Sequence, residues 1–370
     1  MIILVFRLFR DFHLRLVLVL SIYAFTAINA VAQDDIIDNN NDTGKQKKYL
    51  DLSEKDDILE VSLKFDLANF LKKPDRSRSF DGIITIPMSE TDTLNRKVII
   101  RYRGESRYER CSFPPMRVTL KKPVYEVSGS GRIKKIKLVN QCNRGSAFEE
   151  YIIWECLVYK IHNVITDTSY RVRLIKVNFI DKEDKRKPLT QFGIFIEPKD
   201  LLAKRTNTVV VNTSALTQRD IIPEMIDMMA IFNYMVSNWD WSVPGQHNLS
   251  ILKTNQFGLS GLGIPVPFDF DLTGIVNADY AIPPPALGIE SNRDRIFTRI
   301  CRPVEVYRKA LMKFIDKKEE IYSVGNDYPY LSRGSKRDII GSLDQFYNQL
   351  ENQRSIDRLI DRFNEQCKKL

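Results

Sequence analysis

The chain has 370 residues, of which 43% are hydrophobic and 28% are charged, and its formal net charge is +9. These values are ordinary for a folded protein with a sizeable core, and they exclude a disordered chain. Lys and Arg are spread along the sequence without a basic arm, which predicts no nucleic-acid partner. The modest positive charge still fits a partner that carries phosphate or acidic sugar.

The first 32 residues have the features of a signal peptide. An apolar run follows a basic leader, and small residues end it at 30–32. The basic leader is made by Arg7, Arg10 and Arg15. We therefore predict cleavage after residue 32 and an exported protein, periplasmic or secreted, with no membrane span after cleavage; an uncleaved N-terminal anchor is the alternative. Residues 33–54 are polar and predict a flexible leader, so the folded domain is expected over 55–370.

Strand-like and helical stretches are segregated along this domain. Apolar runs, alternating or continuous, predict strands at 58–65, 82–88, 97–104, 116–122, 133–139, 170–180, 190–197, 247–254 and 264–275. Helical periodicity predicts helices over 146–162 and 217–238, and again from 303 to the end of the chain. This order is typical of an α+β fold, with a strand-rich lobe at about 55–200, a helical lobe at about 201–370 and a cleft between them.

The cysteines and histidines limit the kinds of site that the chain can form. The cysteines, which include no Cys-x-x-Cys pair, are Cys111, Cys142, Cys156, Cys301 and Cys367. An exported protein with this set is expected to form one or two disulfides and to leave an odd thiol, and the pairing stays open. Cys156 lies in an apolar predicted helix, so we expect it to be buried outside the disulfides. After residue 32 the histidines are His162 and His247, too few for a multi-histidine metal site.

The stretch VPFDFDLTG at 266–274 places two carboxylates close together. Asp269 and Asp271 alternate with apolar residues, a pattern that predicts a strand with both carboxylates on one face. Two like charges side by side repel, so a positive partner is expected next to them. Alternatively, each Asp caps a loop amide where a strand ends in a turn.

A predicted helix, a loop and a hairpin lead to this stretch. The helix over 217–238 runs into NWDWSVPGQHN, which brings Asp240 just past the helix and Asn248 to the start of a strand. This order matches the catalytic segment of kinase-type phosphoryl-transfer enzymes. In that layout Asp240 orients the attacking hydroxyl, while Asn248 and Asp269 hold Mg²⁺, which prefers oxygen ligands. A divalent cation would also be the positive partner of the Asp pair.

Motifs between about residues 97 and 281 resemble, in the same order, those of the spore coat protein H (CotH) family of atypical kinases. They are RYRGESR at 101–107, FGIFIEPKDLLAKR at 192–205, NWDWSVPGQHN at 238–248 and VPFDFDLTG at 266–274. The resemblance implies a two-lobed atypical protein-kinase-like fold that uses ATP and Mg²⁺. It also implies that Asp240 is the catalytic aspartate, that Asn248 and Asp269 are the Mg²⁺ ligands, and that Asp271 is a further carboxylate at the metal.

The phosphate-binding side departs from the family pattern. The family's loop near the phosphates is matched by Arg103, Gly104 and Ser106. Its glutamate that fixes a nucleotide-facing lysine is matched by Glu197. Prolines at 114–115 stand where the family has a pair of lysines. The nearest basic candidates for phosphate binding are therefore Arg117 and Lys121, and an arginine is not equivalent to a lysine in reach or geometry.

Together these observations predict an exported, Mg²⁺-dependent kinase. It would transfer a phosphoryl or other nucleotide-derived group to a hydroxyl of a protein or surface glycan at the cell envelope. A second hypothesis is a binding or envelope-assembly protein that keeps the kinase fold without the activity. A third is a glycoside hydrolase that uses the carboxylates of Asp240 and Asp269.

Overall fold

The computed structural model of the chain describes residues 49–50, 57–72, 74–88, 92–104, 106–126, 131–213, 215–254 and 261–367. The predicted signal peptide at 1–32, its cleavage site and nearly all of the predicted leader at 33–54 lie outside these residues. Among the helices of the described part, none is both long and apolar enough to cross a membrane.

The strands of the first half close into a barrel. They are β1 (Tyr49–Leu50), β2 (Leu59–Phe65), β3 (Ser79–Pro87), β4 (Thr93–Tyr102), β5 (Met116–Glu126), β6 (Arg132–Asn140), β7 (Val172–Asp181) and β8 (Leu189–Ile196). Pairing runs β5–β4–β3–β2–β7–β8–β6, β6 pairs again with β5, and β1 lies parallel to the end of β5. The sequence predicts most of these strands but not their closure, which depends on contacts between distant segments.

Aromatic rings fill the barrel. Phe70 stacks on Tyr102 with ring centroids 4.4 Å apart, and Phe113 packs on Phe179 at 4.6 Å. The Tyr102 hydroxyl, buried with these rings, donates a hydrogen bond to the Phe70 carbonyl at 2.7 Å. Two short helices lie in the connections, α1 (Leu67–Lys72) and α2 (Ser106–Arg110). The alternation along β2, β3 and β4 thus places apolar side chains inside the barrel and mostly polar ones outside.

Helix α3 (Ser146–Ile165) packs against the outer wall of the barrel. Its buried residues run around most of the helix and form one core with outward side chains of β7 and β8, such as Leu174 and Ile194. The same core extends to the helices of the second half. Because α3 is buried by both halves, it joins the barrel to the rest of the chain.

The second half is mainly helical. A small antiparallel sheet, in the order β11–β10–β9, lies among its helices. The elements are α4 (Lys199–Arg205), β9 (Thr208–Val211), α5 (Pro223–Met235), β10 (Leu249–Thr254), β11 (Ile264–Pro267), α6 (Val304–Asp316), α7 (Lys318–Asp327), α8 (Arg333–Tyr347) and α9 (Gln353–Gln366). The predicted α+β class, with strands in the first half and helices in the second, is confirmed.

Two disulfides form, which confirms the prediction from the cysteine set. Cys111 at the end of α2 pairs with Cys142 just after β6, and Cys301 pairs with Cys367 after α9. Cys156 is buried in α3 and takes part in neither disulfide, and the Tyr328 hydroxyl lies 3.4 Å from its sulfur. The first disulfide ties α2 to the end of β6.

A buried ionic network fixes α5 in the second half. Asp227 on α5 accepts hydrogen bonds from Arg299 at 2.9 Å and from Arg302 at 3.2 Å. The Asp227 and Arg299 side chains are 2% and 1% exposed, so removing one partner leaves the other charge buried without compensation.

We expect Asp227→Asn to lower the free energy of unfolding by about 3–5 kcal/mol, as for other buried ion pairs that lose one partner. The matched control is Asp357→Asn, which removes the exposed pair with Arg308 at 2.8 Å. That change should cost less than about 1 kcal/mol. Urea unfolding of both variants measures the difference, and equal losses would contradict a stabilising role for the buried network.

Candidate functional site

A cleft of about 330 Å³ lies between the barrel and the helical half. The loop after β4 and helix α2 form its barrel side, and the loops before β10 and after β11 form its other side. Its lining includes these predicted site residues: Arg103, Gly104, Asp240, Asn248, Asp269 and Asp271. Gly104 has φ +76, a left-handed conformation that glycine adopts without strain, where the chain turns from β4 towards α2.

The loop after α5 is folded by its own side chains. Asn238 donates from Nδ2 to the side chain of Asn233 at 2.9 Å, and its Oδ1 accepts the Asp240 amide at 3.1 Å. Paired backbone hydrogen bonds between Ser242 and His247, at 3.0 and 3.1 Å, close the loop. The polar residues in NWDWSVPGQHN therefore hold Asp240 in place at the cleft.

The Asp240 carboxylate is held on both oxygens. His247 Nε2 lies 2.7 Å from Oδ1, and Asn248 Nδ2 donates to Oδ2 at 2.8 Å and to the Asp240 carbonyl at 3.0 Å. Burial raises the pKa of Asp240, and the nearby charge of Asp269 acts in the same direction. Because Asn248 uses its amide nitrogen on Asp240, its Oδ1 is the atom left for another partner.

The predicted strand at 264–275 is wrong at the Asp pair. Strand β11 ends at Pro267, and Asp269 has φ +66, which no regular strand allows. The Asp269 amide donates to the hydroxyl of Tyr159 on α3 at 2.8 Å. The two carboxylates therefore lie in a loop anchored to α3, and the prediction that they share one face of a strand fails because Asp269 turns the chain.

Basic side chains of the barrel half surround Asp269. Burial by itself would raise its pKa, but Lys137, Arg103 and Arg107 together hold the pKa of Asp269 below its ordinary value. For Asp271, burial and the charge of Asp269 raise the pKa to about 6, although Arg107 Nη1 lies 4.0 Å from its Oδ2. The expected positive partner of the pair is thus supplied by the chain itself.

Sequence analysis missed Lys137 and Glu155. Lys137 on β6 lies with Nζ 3.9 Å from the ring centroid of Phe268, and burial lowers its pKa to about 8. Glu155 on α3 is buried, and its carboxylate oxygens have no hydrogen-bond partner among the described residues. Burial, then the charges of Asp271 and Asp269, raise the pKa of Glu155 to about 8. The signal for Glu155 was present, because a single carboxylate interrupts the apolar run IIWECLVY.

The structure places Arg117, Lys121 and Glu197 outside the described lining of the cleft. Lys121 binds Asp81 at 2.7 Å on the outer wall of the barrel, and Arg117 is exposed on β5 beside Lys137. Glu197 accepts two hydrogen bonds from Arg205, both at 3.0 Å. Ser106 is the first residue of α2. The structure therefore brings together the predicted acidic residues but not the predicted phosphate-binding cations Arg117 and Lys121.

The cleft has the chemistry to bind an anion next to a hard cation. Arg103 Nη1 and Arg107 Nε are buried donors without a hydrogen-bond partner among the described residues. In the same part of the chain, no group of three or more His, Cys, Asp or Glu side chains is arranged to hold a metal ion. A Mg²⁺ ion that keeps waters and phosphate oxygens needs one or two protein carboxylates. Asp269 can provide one carboxylate, and Asn248 can add its neutral amide oxygen.

No known protein-family model matches the sequence, and no curated protein matches it. Among solved structures, the chain is similar to the crystal structure of a Helicobacter pylori proinflammatory kinase, CtkA. The sequence identity is 10% and the TM-score 0.36, over 85% of this chain and 99% of that chain. At so low a TM-score the likeness carries no argument about this chain.

We expect Glu155→Gln to stabilise the protein at neutral pH. Folded Glu155 has a pKa of about 8 against an ordinary 4.5, so wild-type stability falls as the pH rises between these values. The amide removes that dependence and should raise the free energy of unfolding at pH 7 by about 1–3 kcal/mol. Glu149→Gln, in the first turn of the same helix, is the control. Denaturant unfolding across the pH range measures both, and a less stable Glu155→Gln variant would refute the assignment.

Proposed function

We propose that the chain is a Mg²⁺-dependent phosphoryl-transfer enzyme with a two-lobed, atypical kinase-like arrangement. One observation carries the proposal: the Asp240 carboxylate, held by Asn248 and His247, lines the same cleft as Asp269. On the barrel side of that cleft, Arg103 and other cations face Asp269. A general base, a metal-ligand pair and phosphate-binding cations are the groups that phosphoryl transfer needs.

The residues present fit a magnesium nucleotide. Asp269, whose pKa is held down by the surrounding cations, stays ionised and can bind Mg²⁺ together with Asn248 Oδ1. The unpartnered buried donors of Arg103 and Arg107 fit phosphate oxygens. When bound, the ion would neutralise charge on the transferring phosphoryl group. ATP is the nucleotide that we propose.

Asp240 acts on the acceptor in this mechanism. Its carboxylate lies at the cleft and is oriented by two hydrogen-bond partners, so it can accept a hydrogen bond from an acceptor hydroxyl and take its proton. Burial raises the pKa of Asp240, which makes it a stronger base than an exposed aspartate. The acceptor would be a hydroxyl of a protein or a surface glycan, met at the cell envelope if residues 1–32 direct export.

Lys137 takes the place that the sequence left open. It lies on β6, close enough to Asp269 to lower the pKa of that carboxylate, and the charge of Asp269 in turn favours the charged form of Lys137. Lys137 can therefore hold a positive charge beside the phosphates, a task that the sequence assigned to Arg117 or Lys121 with Glu197. In this proposal Glu197 instead fixes Arg205 at the start of the helical half.

A binding protein without activity is the second candidate. The observation that favours it is that Lys137, Arg103 and Arg107 already compensate the charge of Asp269 without a metal ion. A cleft neutralised in this way could hold an anionic partner and perform no transfer.

Calorimetric titration of the full chain with ATP, with and without Mg²⁺, tests the proposal. We expect metal-dependent binding that Asp269→Ala and Lys137→Ala each weaken by about tenfold or more, since each removes a charge from the site. Lys121→Ala is the control, because Lys121 pairs with Asp81 away from the cleft, and it should bind as the wild type does. If the folded wild type binds no nucleotide up to about millimolar concentration, the proposal is wrong, and the binding protein without activity is the remaining candidate.

The same titration should depend on pH. Lys137 and Glu155 both have a pKa of about 8. As the pH rises above that value, Lys137 loses its positive charge and Glu155 gains a negative charge. We therefore expect nucleotide affinity to fall by about tenfold between about pH 7 and about pH 9. Lys137→Arg, which stays charged, should fall less steeply. An affinity that rises over this range would contradict the placement of Lys137 at the phosphates.

A further inference from the structure

Among the described residues, helix α3 covers one side of the outer wall of the barrel. Helix α3 packs on outward side chains of β6, β7 and β8, such as Val139, Leu174 and Ile194. The part of the wall made by β4, β5 and the start of β6 lies outside this contact, and its long side chains are exposed. We define the basic wall as the outward residues of these strands before the α3 contact: Lys97, Ile99, Arg101, Arg117, Thr119, Lys121 and Lys135.

Positive charge is concentrated in these strands although it is spread along the sequence. Lysines and arginines in β4, β5 and β6 are Arg96, Lys97, Arg101, Arg117, Lys121, Lys122, Arg132, Lys134, Lys135 and Lys137. Their acidic residue is Glu126, the last position of β5. On neighbouring β3, Asp81 binds Lys121 at 2.7 Å. Five of these cations, and none of the acidic residues, belong to the basic wall, which therefore carries an excess of positive charge.

A row of like charges crosses this face towards the cleft. Arg101 lies directly opposite Arg117, and Arg117 lies directly opposite Lys137 on the next strand. Like charges at such positions destabilise a sheet, so the row costs stability as it stands. An anion laid across the row would remove that cost. The row ends at Lys137, which acts on Asp269 in the candidate site.

We infer that the basic wall binds an acidic polypeptide segment and guides it along the row Arg101–Arg117–Lys137 into the cleft. Aliphatic side chains lie among the cations, since Ile99 is half-buried on β4 and Ile83 is 45% exposed on neighbouring β3. This mixture fits a peptide with acidic and apolar residues. None of the seven residues of the basic wall is aromatic, whereas nucleic-acid bases stack on aromatic rings. The aromatic residues of these strands, Tyr102 and Tyr125, are buried and half-buried. The further statement that the segment belongs to the phosphoryl acceptor rests on the proposed function.

Fluorescence anisotropy of the full chain with a labelled Glu- and Val-containing peptide tests the inference. The wall variant is Lys97→Glu, Arg101→Glu and Lys135→Glu combined. The matched control reverses exposed cations of the helical half, Lys309→Glu, Arg333→Glu and Arg337→Glu, and so has the same net charge. We expect the wall variant to bind about tenfold or more weakly, the control to bind as the wild type does, and added salt to weaken wild-type binding.

Several outcomes would overturn the inference: no binding of the peptide, equal binding of its Gln-for-Glu version, or equal loss in both variants. Tighter binding of a single-stranded oligonucleotide than of the peptide would replace the polypeptide with a nucleic acid. Calorimetry with ATP and Mg²⁺ on the wall variant separates this test from the proposed function, since its substituted side chains do not line the cleft. If the peptide binds through the basic wall but no nucleotide binds, the docking surface is supported and the statement that the segment belongs to a phosphoryl acceptor is wrong.

Discussion

The charge balance around Asp269 is the interaction on which the candidate site depends. Loss of water contact disfavours an ionised carboxylate, and the half-buried Asp269 remains ionised because Lys137, Arg103 and Arg107 face it. These cations come from β6, from the loop after β4 and from α2, whereas Asp269 belongs to the helical half. The balance therefore exists only when the two halves are packed together. Asp271, which has weaker compensation, has its pKa raised to about 6 and acts as the more easily protonated neighbour.

Helix α3 makes this packing specific. On one side it is buried against the barrel, and on the other it enters the core of the helical half. The hydroxyl of Tyr159 on this helix accepts a hydrogen bond from the Asp269 amide. Glu155 lies one turn earlier, where the charges of Asp271 and Asp269 act on it. A shift of α3 would move the backbone of the metal-ligand candidate and the carboxylate near Lys137 together. The electrostatics of the cleft therefore depend directly on the position of α3.

How much of this the sequence could predict differs from residue to residue. Asp240 and Asn248 were found because local order, a helix followed by a polar loop and a strand, places them. Asp269 was predicted as a site residue but placed on a strand, because a positive φ leaves no trace in an alternating pattern. Lys137 could not be chosen from the lysines of IKKIKLV, and Arg117 and Lys121 were predicted instead, because barrel closure decides which lysine lies near Asp269. Closure is set by contacts between distant segments, which no local pattern encodes.

The disulfide between Cys111 and Cys142 links the chemistry of the cleft to its surroundings. It ties α2, which carries Arg107, to the chain just after β6, which carries Lys137. Without this bond, hydrogen bonds such as that from Arg107 to the Asn140 carbonyl at 2.5 Å would have to hold the segment. Thiols oxidise in extracytoplasmic compartments and stay reduced in the cytosol. The barrel side of the cleft is thus held more firmly under oxidising conditions. The redox state of the environment therefore becomes a determinant of how rigidly Arg107 is held beside the strand that carries Lys137.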